Sequence, residues 1–90
     1  MQQNDIVPEL EFNKDYLKNN TGIAAIKFIR EALEYILVFI ETGLTGIIKE
    51  AIYYLKKAEN ATTKKERMRY KKNAINDIND ALNVIRICER

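Results

Sequence analysis

Apolar positions recur every three or four residues along most of this 90-residue chain, and the recurrence predicts helices. From Gly22 to Glu41, Ile26, Ile29, Leu33, Ile36 and Ile40 keep that spacing, with Ala25, Phe28, Ala32, Tyr35 and Phe39 beside them. Thr21 is the expected N-cap, and Thr42-Gly43 the expected stop, with Gly43 in the left-handed conformation that side chains disfavour. Thr45 then stands where it can cap a second helix, running from Gly46 to about Ala58 and burying Ile48, Ala51, Ile52 and Leu55. The competing reading of residues 22–58 is one long helix kinked at Gly43/Gly46.

Glu59–Thr62 reads as a loop, and Thr63 with Glu66 three residues later as a capping box. A further helix is expected from there to the C-terminus, with Met68, Ile75, Ile78, Leu82 and Ile85 inward and Ala74, Ala81 and Cys88 as a small-residue flank. No stretch alternates as a strand would. Residues 1–21 read differently: Asp5, Glu9, Glu11 and Asp15 against Lys14 make them acidic, Pro8 interrupts regularity, and Asn19-Asn20-Thr21-Gly22 is turn chemistry. The expected fold is therefore all-α. It is a small antiparallel helical bundle over 22–90, of three helices or of two long ones with the kink, preceded by an acidic N-terminal arm over 1–21. Leu10, Phe12, Tyr16 and Leu17 would dock that arm, with a short helix around Glu9–Lys18 as an option.

The segment Ile23–Ile40 poses a problem for a small bundle. Only Lys27, Arg30, Glu31 and Glu34 within it are not apolar, and Tyr35–Ile40 is apolar on every face. A helix apolar all round is buried all round, which a three-helix monomer cannot arrange for its first helix. The arm or a second copy must cover it, and a homo-oligomer, a symmetric dimer first, is expected through Phe28, Tyr35, Val38 and Phe39.

Length and composition narrow the rest. Ninety residues make one small domain. His, Ser and Trp are absent, so serine triads, histidine acid–base catalysis and histidine metal ligation are excluded. Cys88 stands alone, which rules out an internal disulfide and suits a reducing cytoplasm; at the end of an apolar helix face it reads as a structural thiol. No secretory leader is legible in MQQNDIVPELEF, and no apolar run approaches the roughly 20 residues of a membrane span. Neither a metal nor a cofactor is expected. Ile, Lys and Asn number 13, 10 and 9, a bias of AT-rich coding that suits a low-GC bacterium, its phage or a mobile element.

Charge supplies the candidate site. Residues 56–72, KKAENATTKKERMRYKK, hold eight cations and two acids, +6 in a chain whose total is +2. Lys56 and Lys57 end a helix, where its dipole favours cations; Lys64 and Lys65 begin one, where it does not. Tyr53 lies between Lys49 and Lys57, and Tyr70 beside Arg67 and Lys71, an interleaving that can stack rings while cations hold phosphates. Lys49, Tyr53, Lys56, Lys57, Lys64, Lys65, Arg67, Tyr70 and Lys71 are the expected binding residues. Asn73, Asn76, Asp77, Asn79, Asp80 and Asn83 form a second, amide-rich stripe.

Two pairs of carboxylates, Glu31-x-x-Glu34 and Asp77-x-x-Asp80, resemble the Mg²⁺-binding pairs of the all-α nucleotide pyrophosphohydrolases of the MazG type. That resemblance implies a Mg²⁺-dependent hydrolase with the four acids converging on metal and phosphates. The register opposes it: with Leu33 and Leu82 inward, all four acids face outward, and the gap between the pairs is longer than in that family. The expectation from the residues is a non-enzymatic interaction protein, a regulator or inhibitor that offers the basic hairpin to an acidic protein surface or a nucleic acid. A nucleotide or oligonucleotide binder is the alternative.

Overall fold

A computed structural model describes the backbone of residues 3–40 and 42–88 and the side chains of 5–40 and 42–87. It is all-α, with four helices: α1 Gln3–Asn19, α2 Ile23–Ile36, α3 Thr42–Glu59 and α4 Lys64–Cys88. The longest, α4, serves as the spine; α3 packs along one side of it and α1 along another, while α2 lies against α3 and α1. Arg86 pairs with Glu11, and Lys71 donates to the Asn20 carbonyl, so α1 runs opposite to α4. Arg30 and Glu34 of α2 meet Glu59 and Lys56 of α3 in the same antiparallel sense.

The expected arm is thus a helix of the bundle. Ile6, Leu10 and Leu17 are fully buried, and with Asn13 they make the stripe that α1 turns inward. Pro8 lies in the second turn of α1, where its missing N–H costs the helix its bond to the carbonyl of position 4. At the other end Asn20 Nδ2 donates to the Tyr16 carbonyl at 2.9 Å, and Lys71 Nζ takes the Asn20 carbonyl at 3.3 Å, which closes the helix.

Over residues 22–58 there are two helices, not one kinked helix, and they break earlier than the glycines suggest. Gly22, extended at φ −74° and ψ 156°, begins α2 in place of Thr21, with no side-chain cap. After Ile36 the bonding tightens, Val38 N–H to the Tyr35 carbonyl and Phe39 N–H to the Ile36 carbonyl, and the chain turns. α3 has begun by Thr42, so Gly43, Thr45 and Gly46 all lie inside it, and no glycine has positive φ. The loop after α3 stands where expected: Asn60 closes α3 on the Lys56 carbonyl, and Thr63 Oγ1 accepts the Glu66 N–H at 3.1 Å to open α4.

The core is continuous through all four helices: Ile26, Ile29, Leu33 and Ile36 from α2, Leu44, Ile48, Ala51, Ile52, Leu55 and Ala58 from α3, and Ala74, Ile75, Ile78, Ala81, Leu82 and Ile85 from α4, with the α1 stripe. Met68, expected inward, is only half-buried. Among the described residues no helix is long and apolar enough to cross a membrane.

Candidate functional site

The candidate binding residues do not form one surface; the helices divide them between two. The first is the tip of the α3–α4 hairpin. Lys57, Lys64, Lys65, Arg69 and Lys72 are exposed there, and Thr63, Lys65, Glu66, Met68, Arg69 and Lys72 line a concavity of about 540 Å³ with Met68 as its apolar floor. Glu59, the acid nearest the tip on α3, is taken up by Arg30 of α2: Nε bonds one oxygen, Nη2 the other at 3.2 Å, and Nη1 reaches Glu34 at 2.8 Å. The side-chain bonds to Glu59, then to Glu34, hold the Arg30 guanidinium more firmly protonated than usual. With Glu59 matched from outside, the tip keeps its excess of cations.

An aromatic row links the tip to the body. Tyr53 meets Tyr54 edge-on with centroids 5.5 Å apart, and Tyr54 stacks on Tyr70 across the helix pair at 6.4 Å. Each end carries a cation, Lys57 at 5.5 Å from the Tyr53 centroid and Arg69 at 5.2 Å from that of Tyr70. Tyr70 is therefore half-buried and engaged by a ring and a guanidinium, which withdraws it from stacking on a ligand. Burial, followed by the Glu50 and Asp77 carboxylates, holds the Tyr54 phenol above its ordinary value.

The second surface is a groove of about 390 Å³ between α2 and α3, lined by Glu34, Leu37, Lys49, Ile52, Tyr53 and Lys56. Tyr53 is 54% exposed in it. Lys56 Nζ stands 3.8 Å from Glu34, across the groove. At its end the chain leaving α2 presents Tyr35 and Val38, 62% and 76% exposed, with Phe39 packed on Tyr35 at 5.1 Å between centroids. Phe28, two turns back on α2, belongs to another cluster, against Tyr16 of α1 at 5.4 Å, with Phe12 beyond.

Three of the expected binding residues are on neither surface: Tyr70, held in the aromatic row, Lys71 and Arg67. Lys71 is buried, its ammonium bonded to the end of α1, and burial lowers its pKa. Arg67 is half-buried, its Nε enclosed without a partner. The amide-rich stripe is not a uniform surface either. Asp77 is buried against α3, one carboxylate oxygen without a partner, and burial, then Glu50 and Asp80, raise its pKa to about 6.

The four acids of the hydrolase resemblance are not gathered. Glu34 is bonded to Arg30 and Asp77 is enclosed between α3 and α4, while Glu31 and Asp80 are exposed. Among the described residues no three acidic or cysteine side chains cluster closely enough to hold a metal ion. What sequence reasoning missed is Met68, Arg69 and Lys72 as one concavity; the signal was their i, i+1, i+4 spacing behind Lys65. Compared with known protein families, curated proteins and solved structures, the chain matches none.

Proposed function

We propose that this protein acts without catalysis, as a regulator or inhibitor that binds an acidic protein surface through the tip of the α3–α4 hairpin. The concavity over Met68 carries the reading. A thioether floor rimmed by Lys65, Arg69 and Lys72 suits an apolar anchor flanked by carboxylates, the arrangement that a protein surface supplies and a phosphate backbone does not. Tyr70, already held by Tyr54 and Arg69, offers no free face for a base. The AT-rich composition suits a phage or mobile element acting in the cytoplasm of its host.

The second reading, a nucleotide or oligonucleotide binder, is favoured by Tyr53, exposed between Lys49 and Lys56. Titration with a labelled Glu-rich amphipathic peptide carrying leucine anchors, and with a single-stranded oligonucleotide of equal charge, separates the two. The peptide is expected to bind with an affinity that falls as salt rises. Met68→Glu and Arg69→Glu should each weaken it about tenfold or more. Oligonucleotide binding that is tighter, and lost in Tyr53→Ala, would put the second reading in its place. Binding of neither at low salt would remove both.

A further inference from the structure

The apolar corner after α2 does not belong to the hairpin tip and calls for its own occupant. Tyr35, Val38 and Phe39 crowd one corner where α2 gives way to the turn, and a cluster of that kind in water is a contact surface or an aggregation hazard. The groove beside it has an apolar floor of Leu37, Ile52 and Tyr53. Leu37 lines the groove and Val38 follows it in the chain, so the protruding side chains start from the groove's edge.

We propose that two copies of the chain associate about a twofold axis through this corner, Val38 and Phe39 of each entering the α2–α3 groove of the other. A twofold contact sets a patch against itself, so the patch must contain both the knob and the hole, and both signs of charge. This one does. Glu34, whose Oε1 accepts from Arg30 of its own chain, stands on the α2 wall and Lys49 and Lys56 on the α3 wall, so a twofold rotation can set the second oxygen of Glu34 in one copy against Lys49 of the other. The hairpin tip has no such balance, and two tips would repel. Phe28 lies outside the contact, because it is already packed on Tyr16 of α1. The association leaves the Met68 concavity open in both copies and does not depend on what binds there.

Sedimentation velocity from low micromolar to millimolar concentration tests the proposal, with circular dichroism to check the fold of each variant. The wild-type chain should show a concentration-dependent dimer. Val38→Glu, at a site mostly in solvent, should be folded and monomeric at every concentration. Lys49→Glu and Glu34→Lys should each be monomeric alone, since each sets like charges together, and should form a heterodimer when mixed, because opposite charges then face at both contacts. A wild-type monomer throughout, a Val38→Glu dimer, or a mixture of the two charge variants that stays monomeric would each overturn it.

Discussion

Asp77 shows how one residue's surroundings set a property that its type does not. Its carboxyl lies between α4 and α3, faces Glu50 and Tyr54 with Asp80 nearby, and leaves one oxygen unpaired. The folded chain keeps this proton to about pH 6, whereas the unfolded chain releases it near 3.8. Asp77 therefore costs nothing below that window and most above it, so its part of the stability falls as pH rises from about 4 to 6. Asp77→Asn, of the same shape and without the charge, should stabilise the protein at pH 7 by on the order of 2 kcal/mol. Urea denaturation at pH 4 and pH 7 should show a gain at the higher pH only; an equal effect at both would mean that packing, not ionisation, is what changed. The sequence placed Asp77 in an outward amide-rich stripe and Lys71 in a basic patch, and both are buried. Lys71 is covered by the end of α1 and Asp77 by α3; charge and helical spacing alone cannot tell which rows of α4 its neighbours will cover. Lys57, Lys64 and Lys65, at the solvent end of the hairpin, were legible because no neighbouring helix reaches them.

At the scale of elements, the capping signal at Thr63 is met, whereas the caps expected at Thr21 and Thr45 and the break expected at Gly43/Gly46 are not. Thr63 opens α4 through its hydroxyl because that bond needs only a turn of chain. The end of α2 had no such mark: the run Tyr35–Ile40 is uniformly apolar, and the turn is made by a shift to tighter bonding within it. Glycine so often ends a helix that Gly43 and Gly46 predict the break, yet both lie in ordinary helical backbone. A Cβ at Gly46 would meet nothing within 4 Å. Gly46→Ala should accordingly stabilise the protein by about 0.5–1 kcal/mol, since the alanine gives up less chain entropy on folding. Thermal denaturation should report a rise of several degrees in a chain of this size. An unchanged or lower Tm would place the break between α2 and α3 back at the glycines.

For the whole molecule, the decisive difference between expectation and structure is α1. The acidic charge and Pro8 described an arm, and Asn13 interrupts the stripe of Ile6, Leu10 and Leu17 at its centre, which hid a helix with three fully buried side chains. The bundle, 41 × 20 × 18 Å, is built on the long α4, and α1 covers the flank of α4 that α3 does not reach. Three buried aliphatic residues contribute about 1.5–3 kcal/mol each, a sum comparable with the whole stability of a small domain. The fragment 22–90 should therefore lose its cooperative thermal transition and its near-ultraviolet dichroism while keeping much of its helix signal, as a collapsed chain with unfixed packing does. Leu10→Ala in the full chain is the milder form, expected to cost about 2–5 kcal/mol. An arm laid on a finished bundle would behave otherwise: the fragment would melt as sharply as the full chain and within a few degrees of it, and Leu10→Ala would change little. The two outcomes differ because a helix that completes the core cannot be removed without exposing the faces of α4 and α2 against which it packs.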